Sequence, residues 1–541
     1  MTVAGNLPPE IWDEILVYQD ARDLLRLRLL CRSMQDIIDS SSFAQYLIEC
    51  FCAGVEDELR AGKPYAERLA LLRERESAWR TMTPCRRQDV PLCFRPSGLY
   101  DITGGVFILG RNSVPEFMHT SGYSVFQLPS TGDANWQPQW RDLELKLDVL
   151  DFAVSVQEHD LNAVVTQQRF QGPPPVGQDI MITRAKFELH LRQFSSGEPH
   201  PEAAQPVITL REEGLIIHRT HTVVEIAGDL VVVLLFFPFM LNQRMDTIFV
   251  VNWKTGEMYR HTPFVPHQYK CFAFLDSHTL MLPNLQTFAL DIYRIEPQPE
   301  TGEMGLRHIC VLGLPQRYPG VRLVSFQCRS KRNVHTRGSS DDTGLPPPTR
   351  PFRDSPEAAI VLLSMTFMYA PHSMTSMSMV VHRAALLNAA NYALENGYDA
   401  REAVAYDFWG IRNTSWFDAP AAGWIAQSSG SKFVSLVQES SYAAIRVYDF
   451  NQHNVRRLQA QHGTERVRDG GNTVQVVNGT RKLDLRTWFR SPIEFGLAHV
   501  QSTLEEPCTA DGVVVDEENI LALTTDRSTY HIKTVEVLHF G

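Results

Sequence analysis

Over roughly the first 80 residues, apolar side chains recur at helical spacing. Ile11, Ile15 and Leu16 form one stripe, preceded by Pro8 and Pro9, which a helix start tolerates because its first N–H groups lack partners anyway. Asp23 reads as the N-cap of a second stripe, Leu24, Leu27, Leu30 and Met34, widened by Leu25 and extended by Ile37 and Ile38. Phe43, Leu47, Ile48 and Phe51 begin a further helix, and 65–79 is another, with charges set between its apolar positions. No glycine interrupts the chain between Leu7 and Phe51, which fits one helical unit.

Beyond about residue 85 the period changes. Short runs of Val, Ile, Phe and Thr alternate with Gly, Asn, Asp and Pro turns, as in 103–110, 215–218, 229–236, 247–253, 287–293, 444–449 and 512–516. Two hairpins are predicted: 248–253 turning through 254–257 into 258–261, and 444–450 turning through 451–454 into a strand at 455–458. The stretch 376–393 fits either period. Residues 95–541 number 447, too many for one sandwich of roughly 100 residues. The fold class predicted is α+β multidomain: a small N-terminal helical unit, then a large mainly-β domain, read as a β-propeller. The alternative is two or three separate β domains. The expected boundaries are 1–50 for the helical unit, 51–90 for a helical linker and 91–541 for the β region. A disordered insertion is expected at about 329–356.

That insertion rests on composition. Residues 329–353 hold six basic side chains against Asp341 and Asp342, with clustered prolines at 346–348, and read as a solvated loop. The whole chain is mildly acidic, 51 Lys+Arg against 62 Asp+Glu, which argues against a general nucleic-acid or anionic-membrane binder. The first residues lack the basic and apolar regions of a secretory signal, and the longest apolar stretch, 230–241, is too short to span a bilayer. Nine scattered cysteines then read as reduced thiols in an intracellular protein.

Catalytic motifs are missing from the sequence. It has no phosphate-binding G-x-x-x-x-G-K-[ST], no G-x-G-x-x-G, no H-E-x-x-H, and the serine in 122–126 lacks the second glycine of a nucleophile elbow. Cys50 and Cys52 are spaced too closely for a zinc pair and read as helix packing. His218 and His221 could present two imidazoles but read as exposed polar residues, and Met365, Met368, Met374, Met377 and Met379 read as packing. No cofactor or metal is expected.

The specific signal is Leu7-Pro8-Pro9-Glu10-Ile11 followed by Asp23-Leu24-Leu25-Arg26-Leu27-Arg28 and Leu30-Cys31-Arg32. Over residues 6–45 this joint pattern resembles an F-box, the helical module that docks F-box proteins onto the Skp adaptor of cullin–RING ubiquitin ligases. The resemblance implies adaptor-facing or packing roles for Leu7, Pro8, Ile11, Ile15, Leu16, Leu24, Leu25, Leu27, Leu30, Cys31 and Met34. Gln19 stands where the family often has Leu, and Met34 replaces a frequent Trp. Residues 250–256, 486–492, 511–518 and 537–541 also resemble the propeller-like halves of large F-box families of mushroom-forming fungi. The implied function is substrate recognition in an SCF-type ubiquitin ligase, without catalysis by this chain. The Skp adaptor, and cullin through it, are the implied partners, together with a target protein. No nucleic-acid or membrane partner is expected. The rivals are an F-box scaffold that leads to no degradation and a propeller enzyme such as a glycosidase.

Overall fold

The apolar run at 229–236 is a strand buried on both faces. In Leu230–Phe236, Val231, Val233 and Leu235 pack to one side with Phe187, Leu189 and Phe249, while Leu230, Val232 and Leu234 pack to the other with Phe274, Leu280 and Leu282. Side chains alternate along a strand, so a continuous apolar run needs protein on both sides. Here both sides are neighbouring sheets. A computed structural model describes residues 8–541 except 59–61, 113–119, 134, 173–181, 215–219, 238–244, 260, 299–301, 331–349, 371–372, 401, 419–423, 440–441, 470–471, 527 and 530.

Six sheets of four or more strands are present among the described residues, and one of them is double. In the seven-stranded sheet, Trp140–Ser155 pairs through its first part with Thr120–Gln127 and through its second with Leu161–Gly172. Lys146, at φ 56°, sits between the two parts. The long strand thus closes blade I and opens blade II. Blade III starts at His221–Ala227, IV at Ala273–Phe274, V at Arg322–Arg329, VI at Ser428–Ser429 and VII at Gly512–Val515. Blade VII takes its outermost strand from the other end of the chain: Arg86–Pro91 pairs with Ile532–His539 along its whole length.

Each adjacent pair of blades shares an apolar core. Val125 and Val154 lie between I and II, Phe187 and Phe249 between II and III, Phe272 and Leu282 between III and IV, and Leu290 and Met365 between IV and V. Ile360 and Phe433 lie between V and VI, Val434 and Val513 between VI and VII, and Phe107 and Leu521 between VII and I. Seven such cores return to their start, so the sheets form a closed seven-bladed β-propeller. Closure leaves no blade with an unpacked face.

Several local expectations change. Residues 455–458 are helical: α7, Gln452–His462, follows the strand Tyr442–Asp449 directly. The Asn451 side chain accepts from the His453 N–H at 2.9 Å and starts the helix, and Val455 and Leu458, three apart, bury against Val476 and Val500. The return of the hairpin at 258–261 shrinks to one bridge, Val251 to Met258, and the outer strand is Thr262–Phe264. The ambiguous 376–393 is both, strand Ser373–His382 running into helix α6, Arg383–Glu395. Met365, Met377 and Met379 are in the core, while Met374 is exposed.

His499 lies between blades V and VI against Phe417, Tyr448 and Phe450. Burial, and secondarily the Arg481 charge, push its pKa down to about 3, against a weaker pull from the Leu497 backbone. The folded value thus lies below the unfolded one of about 6.5. The neutral ring's contribution is complete above that pH and is lost as pH falls toward 3, at about 1.4 kcal/mol per pH unit. Urea unfolding is expected to show the wild type losing about 1–2 kcal/mol between pH 6.5 and 5 relative to His499→Gln.

Candidate functional site

The N-terminal unit is four helices: α1 Pro9–Leu16, α2 Ala21–Arg28, α3 Arg32–Ser40 and α4 Ser42–Ala53. The N-cap of α2 is Asp20 rather than Asp23; its carboxylate accepts from the Asp23 N–H at 2.8 Å. Arg28 bridges α2 to α3 through two bonds to Asp39, at 2.7 and 3.0 Å. Leu16, Leu24, Ile38 and Ala44 are fully buried and form the centre of the unit, with Leu27, Ile37, Phe43 and Leu47 around them.

This core divides the residues named from the sequence. Leu16, Leu24 and Met34 point inward, and Leu25 and Leu27 are half-buried. Pro8, Ile11, Ile15, Leu30 and Cys31 are exposed; Leu7 lies outside the described residues. Three further exposed apolar side chains join them: Val17 and Tyr18 after α1, and Leu29 beside Leu30. Tyr18, Leu29 and Leu30 are 87, 84 and 71% exposed and Ile11 and Ile15 about 40%, so α1 and the α2–α3 turn carry apolar surface that the described residues of the unit do not cover. The sequence carried a signal for Leu29, a leucine past the stripe that has no inward position to fill.

The unit is fixed to one face of the ring. In a propeller, the turn from first to second strand falls on the same face in every blade, as does the end of each third strand. Val55–Asp57 pairs antiparallel with Phe352–Asp354, just ahead of the second strand of blade V. The Tyr46 hydroxyl donates to the Pro351 carbonyl at 3.0 Å, and the Asn451 amide, at the end of a third strand, donates to the Cys52 carbonyl at 2.8 Å. Helix α5, Tyr65–Thr81, continues along this face. Its Trp79 stacks on Phe540 at 4.2 Å, and its buried Arg75 lies 4.6 Å over the Phe352 ring.

Arg350 anchors the same place. Fully buried, it reaches Asp516 at 2.9 Å, Glu517 at 3.3 Å and Glu518 at 3.5 Å in the first turn of blade VII. Glu518 also accepts from the backbone and hydroxyl of Thr131, at 2.9 and 2.7 Å. Burial pushes Asp516 up, but the Arg350 charge and the Glu518 backbone N–H outweigh it and hold the carboxyl below its ordinary range. The predicted insertion falls partly outside the described residues, at 331–349; Arg350 and Phe352–Asp354, counted with it from composition, are core and strand.

Among the described residues no helix or strand lies across the opposite face. A cavity of about 480 Å³ runs along the propeller axis and is lined by residues in or just ahead of the first strands of successive blades, among them Asp151, Glu225, Lys270, Cys271, Cys328 and Arg329. The Asp151 carboxylate accepts from the Phe152 N–H at 2.9 Å and Glu225 from the Phe274 N–H at 3.4 Å. On this face, the loops between blades and a hairpin tip of blade V expose Val265, Tyr318, Tyr369 and Met374. His221 lines the cavity, while His218, Asp341 and Asp342 lie outside the described residues. No set of three His, Cys, Asp or Glu side chains among the described residues is placed to hold a metal.

Comparison with known proteins agrees on the helical unit. Residues 5–46 match the family model of the F-box domain, so the chain carries an F-box at its N-terminus, a module of adaptor type. No curated protein matches the chain in sequence. Among solved structures, the WD40 domain of SCAP from fission yeast is similar at 9% identity and a TM-score of 0.34, over 84% of this chain and 98% of that one. BamB from Moraxella catarrhalis is similar at 9% identity and a TM-score of 0.28, over 84% and 99%.

Proposed function

We propose that this chain is the substrate-recognition subunit of an SCF-type cullin–RING ubiquitin ligase. The observation that carries the reading is an F-box whose exposed apolar residues stand clear of the other described residues, fastened to one face of a propeller and away from the other. Pro8, Ile11, Ile15, Leu30 and Cys31, joined by Val17, Tyr18 and Leu29, would bury against the Skp adaptor. Leu16, Leu24, Leu25, Leu27 and Met34 would hold those residues in place from within. The cullin binds through the adaptor. A target protein docks on the loops around the open mouth of the channel, and the ligase holds it beside a ubiquitin-charged conjugating enzyme. The rate gain is one of proximity, requiring no reacting group on this chain. No helix among the described residues is long and apolar enough to cross a membrane, and the working compartment is intracellular, cytoplasmic or nuclear.

The test is purification of the full-length chain from proteasome-inhibited cells. Adaptor and cullin are expected to co-purify stoichiometrically, and at least one captured protein to accumulate when the chain is deleted. Purified wild type that binds no Skp adaptor overturns the proposal. Adaptor without cullin, and no accumulating protein, favours the scaffold instead.

A further inference from the structure

Two cysteines from different blades meet at the channel wall. Cys271 precedes the first strand of blade IV, Cys328 lies in the first strand of blade V, and their sulfur atoms are 3.4 Å apart. Both are buried against protein yet line the 480 Å³ cavity. The Cys328 backbone N–H donates to Cys271 Sγ at 3.0 Å, and Cys271 Sγ–H faces the Phe326 carbonyl at 3.6 Å. Lys270 and Arg329, the residues next to the two cysteines, line the same space. The thiolate is the form of cysteine that reacts with peroxide, and of the two sulfurs Cys271 Sγ is the one that a backbone N–H reaches.

We propose that Cys271 and Cys328 form a peroxide-oxidisable dithiol that closes into a disulfide between blades IV and V. Cys271, which receives the N–H bond, is the attacking group. Its thiolate takes one oxygen of hydrogen peroxide entering through the channel. The O–O bond breaks, Cys271 becomes a sulfenic acid, and hydroxide leaves. Cys328 then attacks Cys271 Sγ; the S–S bond forms, the S–O bond breaks, and the departing hydroxide takes the Cys328 proton as water. Two thiols lose two electrons, and one peroxide becomes two waters. Burial pushes the Cys328 thiol up, which fits the resolving role, since that thiol must lose its proton only in the second step. The sulfurs need to approach by about 1.4 Å to reach bonding distance, a small movement between two strands already in contact. The closed form would tie two inner strands together at the wall of the channel.

The experiment uses the full-length protein alone, so its outcome is separate from the ubiquitin reading. Native protein is treated with hydrogen peroxide, alkylated under denaturing conditions and digested without reductant. A Cys271–Cys328 cross-linked peptide is expected as the main product, absent without peroxide and lost on treatment with dithiothreitol. Cys310, which is also buried, should remain alkylatable. In Cys328→Ser, Cys271 is expected to accumulate as a sulfenic acid trapped by dimedone. In Cys271→Ser, Cys328 should stay an alkylatable thiol. Recovery of both wild-type cysteines as free thiols, at a peroxide dose that oxidises the exposed Cys31 and Cys85, overturns the proposal. So does pairing of either with a different cysteine.

Discussion

Replacing Ile11 and Leu30 together by aspartate is expected to lower affinity for the Skp adaptor at least 100-fold while leaving the fold intact. Each side chain would bury fully in the complex. Burying a fully exposed leucine or isoleucine contributes about 1.5–3 kcal/mol; with Ile11 40% and Leu30 71% exposed in the free protein, the two would gain roughly 2–3 kcal/mol, where 1.4 kcal/mol is tenfold. Aspartate adds the cost of burying a carboxylate against apolar surface. In the free protein both positions face water to a large extent, so the unfolding free energy should change by less than about 1 kcal/mol. Leu24→Asp is the contrasting case. Leu24 is fully buried at the centre of the unit, and that change should cost about 3–5 kcal/mol and remove binding by unfolding the helices. Titration calorimetry with purified adaptor, set beside urea unfolding of each variant, separates the two. Unchanged affinity in the stable double variant would show that α1 and the α2–α3 turn are not the adaptor surface.

The same contrast shows what local pattern carries. Helical spacing marks Ile11, Ile15 and Leu16 as one stripe, and the L-P-x-E-I pattern identifies the unit, but spacing does not say which stripe members face inward. That depends on how α2, α3 and α4 close over Leu16 and Leu24, a matter of tertiary packing. The strand-rich character of the β region is legible for a physical reason: blades buried on both faces need uninterrupted apolar strands such as Leu230–Phe236. The strand that closes the ring has no such signature. Arg86–Pro91 is an outer strand, largely exposed and polar except at Val90, and its partner Ile532–His539 is about 450 residues away. The helix α7 was hidden because its two inward residues, Val455 and Leu458, fit a short strand as readily as a single helical face. Arg350 was hidden by its neighbours. Composition averages over a window, and a buried guanidinium beside prolines and solvated arginines has no compositional mark.

Arg350→Ala is accordingly expected to cost far more stability than a change at an exposed charged residue. Removing one member of a buried ion cluster costs about 3–5 kcal/mol, because the remaining charge stays buried without its counterion. Here three carboxylates, Asp516, Glu517 and Glu518, would remain. Arg350→Lys should recover little, since one ammonium cannot reach three acceptors spread around a planar fork. Dependence on pH separates this mechanism from simple loss of packing. In the wild type, Asp516 is held below its ordinary range, so its stabilising contribution is present above the unfolded value of about 3.9 and is lost as pH falls through the folded one. Without Arg350, burial is left to push the Asp516 carboxyl up. Protonation then relieves the variant, and its deficit should be greatest near neutral pH and shrink toward pH 4–5. A packing defect would cost the same at both. Urea unfolding at pH 7.5 and 5 measures the difference, and Arg350→Ala with Glu517→Gln, which removes one of the stranded charges, should recover part of the loss at the higher pH. The segment that begins at Arg350 carries the strand Phe352–Asp354, which pairs with Val55–Asp57 beside the F-box. Loss of the ion cluster should therefore also loosen the F-box from the propeller, read as faster proteolysis near residues 55–64 in the variant than in the wild type. In the proposed ligase, such a variant would still bind adaptor through its intact helices, but a target held on the propeller would no longer be presented in a fixed position, and ubiquitin transfer should fall further than adaptor affinity.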